Sequence, residues 1–286
     1  MKPSWGSRAD VEAAYAGRKV AARLATVLSS AAVVLALLPL VCIFVYVAMQ
    51  GLRALSLSFF TESVGDRGVG MANAIVGTIE LVLLASLMGI PLGIAGGLYL
   101  SEYKHVRLAR WVRFATDVLA GVPSILVGVV IYALFVVRMK RFSAFAGAVA
   151  LAIVMLPLVT RTTDVLARAV PDSLREAALA LGAPRWRTAI FVVLRTAAPG
   201  IRSGCMLAVA RVSGETAPLL FTAGSSRFIN ESLLDSTSSL QVQIFTYTMT
   251  PRDDWHAQAW AAALVLLVIV IVLSVLARRI AFEKDV

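Results

Sequence analysis

The chain has 286 residues, 59% of them hydrophobic, and a mean hydropathy of +0.83. A soluble domain is usually about 45–50% apolar, and here the apolar residues come in long runs. The composition therefore excludes a soluble globular protein and indicates one polytopic membrane domain. The formal net charge is +10. The basic residues flank apolar segments and form no basic-aromatic motif, so this charge indicates orientation against anionic lipid and not binding to nucleic acid.

Six apolar segments are long enough to cross a bilayer, which takes about 20 mostly apolar residues in a helix. The first is about 24 residues long and exceeds the apolar part of a cleavable signal, about 7–15 residues, so we expect a retained span. The fifth is the least regular, because it contains charged residues. The predicted spans are 26–49, 73–100, 114–137, 142–160, 197–222 and 257–277.

Most of the 27 lysines and arginines lie on one side of this predicted topology. They occur in the N-terminal tail, in the loops after the second and fourth spans, and in the C-terminal tail. Because basic residues accumulate on the cytoplasmic side, we expect both termini there, as tails 1–25 and 281–286 around a membrane domain 26–280. The basic cluster at 138–141 departs from this rule.

Proline and glycine are frequent in the predicted spans. Proline removes a backbone hydrogen bond and kinks a helix, and a membrane tolerates it only where neighbours or water satisfy the freed carbonyl. Two interpretations stay open: the general enrichment of proline in membrane helices, or bent helices around a path that opens and closes. The glycine-rich segment GIPLGIAGG at 89–97 indicates close helix approach. The prolines are Pro39, Pro91, Pro123, Pro157, Pro199 and Pro218.

Other residue types limit the chemistry. Cys42 and Cys205 lie inside spans and are interpreted as small core residues, and His105 and His256 are each isolated. We therefore expect no metal and no cofactor bound by this chain. No phosphate-binding loop of the GxxxxGK[ST] type occurs, so we do not expect the chain to hydrolyse ATP. The predicted external loop 223–256 is long and polar, which is typical of a segment that docks a partner or covers a pore.

Between the fourth and fifth spans lies LREAALALGAPRWRTAIFVVL, residues 174–194. Pro171 and Asp172 are typical of a helix start, and Gly182 is expected to end the helix in the left-handed conformation. Pro184 then opens a second helix toward the fifth span. A short surface helix of this kind either rests among lipid headgroups or docks into a groove on a soluble partner. Its apolar face, at i, i+3, i+4 and i+7 spacing, is formed by Leu174, Ala177, Ala178 and Leu181.

Charged residues inside the predicted spans are candidates for a substrate pathway, since a charge in the membrane usually faces a cavity or a partner. Arg211 and Glu215 are four residues apart on the predicted fifth span, so they can pair. The pair is either structural, or Arg211 meets a passing anion while Glu215 positions it. Arg161, at the end of the fourth span, is either a positive-inside anchor or a further part of the anion path.

Several segments carry a family resemblance. Glu176-Ala177-Ala178, followed after three residues by Gly182, resembles the EAA motif of ABC importer permeases. Val192, Val193 and Leu194 continue the motif, with Arg195 where the family usually has proline. The segment LAVARVSGETAPLLFTAG at 207–224 is very similar to the fifth span of phosphate-specific ABC permeases of the PstA type. The resemblance covers most of 70–280 and includes WVRFATDVLAGVPSILVG at 111–128, MLPLVTRTTDVL at 155–166 and WAAALVLLVIVIVLSVLARRI near the C-terminus.

The resemblance implies an all-α, six-span, type I ABC importer permease in the bacterial inner membrane. Such a chain forms half of a phosphate pathway with a second homologous permease, and an external phosphate-binding protein delivers the substrate. Two ATPase subunits bind ATP and Mg and dock at the EAA loop, about 168–195. The implied ATPase-coupling residues are Glu176, Ala177, Ala178 and Gly182, and the substrate-pathway residues are Arg211, Glu215 and Arg161.

Other classes of function fit less well. A permease for another oxyanion, such as sulfate or molybdate, stays open, because the residues themselves indicate only an anion. An integral-membrane enzyme needs a cluster of His, Asp, Glu or Cys at one membrane face, and the sequence has none. A structural scaffold gains little from charges inside the membrane. We therefore expect a transport subunit and not an enzyme.

Overall fold

The computed structural model describes residues 8–64, 70–104, 106–229 and 232–282, which form helices and turns without a strand among them. The expectation for His105 and those for the outer parts of the two tails, 1–7 and 283–286, lie outside these residues. The chain divides into two units, Met1–Met49 and Gln50–Val286. In the described residues the helices are α1 Arg8–Ala54, α2 Leu57–Thr61, α3 Ala72–Glu102, α4 Arg107–Gly121, α5 Ser124–Met139, α6 Ala144–Arg168, α7 Asp172–Ala180, α8 Arg185–Val212, α9 Ala217–Thr222, α10 Leu240–Thr248 and α11 Asp253–Phe282.

Five of the described helices are long and apolar enough to cross a membrane: α1 from Ala21, α3, α6, α8 and α11. The pair α4 and α5 passes the same test together and gives a sixth candidate, although the two helices meet at an angle of 104°. The first unit consists of most of α1, an apolar helix with Pro39 inside it. The predicted all-α class with six spans is confirmed, with the bent pair α4 and α5 counted as one span.

The predicted third span, 114–137, is not one helix. Helix α4 ends at Gly121, and Val122 and Pro123 take extended backbone angles before α5 begins at Ser124. Proline has no backbone N–H, and its ring disfavours a helical conformation in the residue before it. The bend therefore follows from Pro123, whereas the run of apolar residues continues through it.

The fourth and fifth spans also differ from their predicted bounds. Helix α6 continues to Arg168, beyond the predicted end at residue 160. Helix α8 begins at Arg185 and includes a π-helical stretch, Thr188–Leu194, so the second helix expected after Pro184 is continuous with the span. The predicted fifth span nevertheless breaks after Val212, and its last part is the separate helix α9.

Helices α3 and α6 form the centre of the second unit through the glycines of the 89–97 segment. A Cβ placed on Gly93 would lie 2.7 Å from the Val159 Cβ, and one on Gly97 would lie 2.5 Å from the Thr163 Cβ. Side-chain contacts this short do not occur, so only glycine permits the observed approach of the two helices. The sequence prediction of close helix packing is confirmed. Residues of α8 and α9 complete this hydrophobic core.

The segment predicted as an external loop, 223–256, is partly packed into the protein. Helix α10 lies within it, and Leu240 and Tyr247 of this helix are buried. The backbone N–H of Leu240 donates a 2.9 Å hydrogen bond to Thr78 Oγ1 of α3, and the N–H of Thr237 donates to the Ala223 carbonyl at 3.1 Å. Backbone N–H groups of this segment are therefore satisfied inside the protein, by a side chain of α3 and by a carbonyl of the segment itself.

Candidate functional site

All three residues predicted for the substrate pathway line one cavity of about 380 Å³. Arg161 comes from α6, Arg211 from the last turn of α8, and Glu215 from the turn that follows. The bend between α4 and α5 contributes Pro123, and α6 contributes Pro157. The break that interrupts the third span thus forms a wall of this cavity.

The predicted pairing of Arg211 with Glu215 is wrong. Glu215 lies beyond the end of α8, where the N–H groups of Gly214 and Glu215 donate to the carbonyls of Arg211 and Val212, each at 3.1 Å. These i→i+3 bonds turn the chain out of the α-helical path, so the i, i+4 geometry is lost. Among the ion pairs of the described residues, none joins Arg211 to Glu215.

Arg161 occupies a different place from the one the sequence suggested. It lies inside α6, about two turns before the helix ends at Arg168. Its guanidinium Nη1 is 3.8 Å from the Asp117 Oδ1 of α4, and both side chains are largely exposed, at 70% and 57%. Asp117 was not among the predicted site residues. Its one sequence signal was a carboxylate in the predicted third span, within the segment that resembles the permease family.

The electrostatics of the cavity favour an anion. Two guanidinium groups and one carboxylate line it, and the remaining lining consists mainly of apolar side chains and proline. Arg211 is exposed and Glu215 is half-buried. Guanidinium groups present planar arrays of donors that match phosphate and carboxylate oxygens. In the described ranges no group of three or more His, Cys, Asp or Glu side chains is placed to hold a metal ion.

The segment 168–195, here called the coupling segment, contains the short helix that the sequence predicted. Helix α7 begins at Asp172 after Pro171, as expected. Gly182 has φ +84°, and the N–H groups of Gly182 and Ala183 donate to the carbonyls of Leu179 and Ala178 at 2.9 and 3.1 Å. This pattern is a Schellman helix end, in which the left-handed position is most easily filled by glycine. The predicted cap is confirmed.

The apolar face of α7 is uncovered in this chain. Helix α7 has no buried residue, Leu174 is exposed and Leu181 is 89% exposed. Ala177 is exposed and Ala178 is half-buried. Because an exposed apolar patch on a helix usually marks an interaction site, this face is available to a partner.

Arg175 attaches the coupling segment to the helix bundle. Its guanidinium pairs with Glu102 at the end of α3 and donates a 2.6 Å hydrogen bond to the Ala167 carbonyl of α6. Asp172 of the same helix lies 3.4 Å from Arg175 Nε. One side chain therefore links α7 to the ends of both central helices. Arg175 was not among the residues predicted from the sequence, because its partners Glu102 and Ala167 belong to other helices.

Comparisons with known proteins identify the family of this chain. Residues 89–284 match the family model described as binding-protein-dependent transport system inner membrane component. The phosphate transport system permease protein PstA of Yersinia pestis is 42% identical over 94% of this chain and 92% of its own length. PstA 1 of Mycobacterium tuberculosis (strain CDC 1551 / Oshkosh) is 38% identical over 93% of this chain and 90% of its own.

Solved structures show the same fold at lower sequence similarity. A chain of the MetNI methionine ABC transporter in inward-facing conformations superposes with a TM-score of 0.61 at 18% identity, covering 74% of this chain and 95% of the other. A chain of an amino acid ABC transporter crystallised with histidines gives a TM-score of 0.55 at 17% identity, over 73% and 92% of the two chains. The chain therefore belongs to the binding-protein-dependent inner membrane components, in the family of phosphate transport system permease proteins PstA.

Proposed function

We propose that this chain is the membrane subunit of an ATP-driven phosphate importer and forms half of the path that phosphate follows. The observation that supports this most directly is the joint lining of one cavity by Arg161 and Arg211. Two guanidinium groups attract a phosphate dianion, and the adjacent Glu215 carboxylate limits how tightly it is held. The similarity to phosphate transport system permease proteins favours phosphate over sulfate or molybdate as the anion.

The uncovered apolar face of α7 supports the partner assignment. Membership of the family implies separate ATPase subunits and a binding protein. Helix α7, with Glu176, Ala177, Ala178 and the Gly182 turn, docks on an ATPase and passes its movement to the bundle through Arg175. A second homologous permease completes the path, and an external phosphate-binding protein delivers the substrate. The membrane domain 26–280 lies in the bacterial inner membrane with both tails in the cytoplasm.

Charge removal in the cavity tests this proposal. The chain is expressed with its partner subunits in a strain that lacks its own phosphate importer, and uptake is normalised to membrane abundance. Arg211→Met is expected to reduce uptake to background, because an attractive cation is lost while Glu215 stays. Glu215→Gln is expected to slow uptake while ATPase activity persists, because phosphate is released less readily. The double variant is expected to stay near background, since no substitution in it restores a cation.

The matched control is Arg202→Met, which removes the same charge from an exposed position on the same helix without touching the cavity. Uptake in this variant is expected to stay close to that of the unaltered chain. Recovery of most uptake in the double variant would contradict the proposed path, because an anion path needs the cation that this variant lacks. Equal uptake of sulfate by the unaltered complex would contradict phosphate as the substrate.

A further inference from the structure

Two ion pairs join helix α4 to helix α6. Arg113 Nη2 of α4 lies 3.3 Å from Asp164 Oδ2 of α6, and Asp117 Oδ1 of α4 lies 3.8 Å from Arg161 Nη1 of α6. The pairs are one turn apart on both helices, and their charges are reversed. Of the four residues, Arg161 alone lines the cavity.

The two pairs differ in how firmly they are held. Asp164 is 13% exposed, and besides Arg113 it accepts a 2.7 Å hydrogen bond from Arg168 Nε. Both side chains of the Asp117–Arg161 pair are largely exposed in this chain, and at 3.8 Å the two atoms are too far apart for a hydrogen bond. Exposed ion pairs of this kind are weak and are screened by other ions. Asp164 therefore fixes the two helices, whereas Asp117 is free to leave Arg161.

We propose that Asp117 is an internal stand-in for the substrate anion. Its carboxylate occupies Arg161 while the cavity is empty, is displaced when phosphate enters, and returns to expel phosphate toward the cytoplasm. This role rests on the proposed function, because it requires Arg161 to meet phosphate. It adds a residue that regulates release from the same cavity.

The geometry connects this exchange to the cavity wall. Three residues that follow Asp117, two on α4 and one just after its end, line the cavity beside the bend at Pro123. They are Leu119, Ala120 and Val122. Moving Asp117 away from Arg161 removes a restraint within one turn of that wall. Occupancy of Arg161 by phosphate is thereby coupled to the position of α4 against α6.

The experiment compares Asp117→Asn with the matched control Arg113→Gln in the complete transporter, reconstituted in liposomes. Each substitution removes one α4–α6 ion pair, but only the first frees Arg161. Phosphate uptake is measured, together with radioactive phosphate retained by the washed complex. Asp117→Asn is expected to retain phosphate about fivefold more than the unaltered complex, the scale of one exposed ion pair, and to take it up more slowly. Arg113→Gln is expected to leave retention unchanged.

Further variants separate the possible failures. Asp117→Asn combined with Arg161→Gln is expected to bring retention back to background, and Asp117→Glu, which keeps the charge, is expected to retain no more phosphate than the unaltered complex. If Asp117→Asn and Arg113→Gln have equal effects, the stand-in role is overturned. The Asp117–Arg161 pair then only holds α4 against α6. If Arg161→Gln lowers uptake but Asp117→Asn changes neither measurement, the stand-in role fails while the proposed function survives. If neither Arg161→Gln nor Arg211→Met lowers uptake, both fail.

Discussion

Arg175 of α7 pairs with Glu102 at the end of α3, and the two side chains are only 15% and 19% exposed. The pair joins α7, the helix proposed to dock on the ATPase, to a central helix of the bundle. In a largely buried pair, removing one partner leaves the other charge with weaker compensation, which costs stability. The link is therefore expected to matter for both stability and coupling.

Glu102→Gln tests this link. The substitution keeps the side-chain shape but leaves Arg175 with the Ala167 carbonyl and the nearby Asp172. We expect a loss of about 2 kcal/mol of local stability, as for a charged hydrogen bond, and weaker coupling of ATP hydrolysis to phosphate uptake. The measurements are thermal unfolding in detergent and the ratio of phosphate transported to ATP hydrolysed.

The control for this prediction is Arg187→Gln in the same segment, because Arg187 is exposed and contacts the Trp186 ring at 5.2 Å. It is expected to leave the transport ratio unchanged. The exchange Glu102→Arg with Arg175→Glu is expected to recover coupling only in part, since a carboxylate at 175 cannot donate to the Ala167 carbonyl. An unchanged transport ratio in Glu102→Gln would show that the Arg175–Glu102 pair does not couple ATP hydrolysis to phosphate uptake.

Gly97→Ala tests the close packing of α3 on α6. The added Cβ would lie 2.5 Å from the Thr163 Cβ and 2.6 Å from the Thr160 carbonyl oxygen, so the helices must separate. Overpacking of this kind typically costs about 1–3 kcal/mol, and we expect lower membrane abundance and a lower unfolding temperature. Gly96→Ala is the matched control, because its added Cβ would meet the Thr160 side chain at an ordinary 3.4 Å. Equal stability of the two variants would contradict the observed helix approach.

The sequence predicted those features that depend on residues close together in the chain. The end of α7 at Gly182 followed from a glycine and its neighbours, and the tight packing of α3 followed from the glycine-rich segment 89–97. The bend at Pro123 was missed because the apolar run 114–137 continues on both sides of it. The average hydropathy of such a window does not reveal a local break in the helix. The backbone geometry that proline imposes does predict one.

For the candidate site, the sequence predicted the charged residues but not the contacts between them. Arg161, Arg211 and Glu215 were recognisable as charges within apolar segments, and the structure places them around one cavity. Their partners were not recognisable, because the Asp117–Arg161 pair depends on how α4 folds back on α6. The expected Arg211–Glu215 pair assumed an unbroken helix, which the turn at Gly214 interrupts.

Accessibility of single cysteines tests the orientation. Cys42 and Cys205 are first replaced, and a cysteine is then placed at the exposed Ser232 or at the exposed Arg185. Because most basic residues lie on the side of the coupling segment, we expect an impermeant thiol reagent to label position 232 in intact cells and position 185 only after permeabilisation. Labelling of position 185 in intact cells would reverse the proposed orientation.

The turn at Gly182 gives the sharpest test of coupling. Nothing lies within 4 Å of a Cβ placed on Gly182, so a larger side chain meets no neighbour, and only its φ of +84° opposes substitution. A β-branched residue in this conformation costs about 1–3 kcal/mol, which is enough to unwind the end of α7. We expect Gly182→Val to insert normally, to bind the ATPase weakly on copurification, and to lose most uptake. Gly182→Asn is expected to keep most uptake, because asparagine tolerates the left-handed region.

Ala180→Val is the matched control for this prediction. Ala180 is exposed and helical two residues earlier, so it receives the same β-branched side chain without the positive φ. In a helix this change costs well under 1 kcal/mol, and uptake and ATPase copurification are expected to stay near those of the unaltered chain. If Ala180→Val and Gly182→Val reduce uptake equally, the ATPase rejects added bulk on this surface and the shape of the turn is irrelevant. If neither reduces it, the Gly182 turn has no part in docking the ATPase.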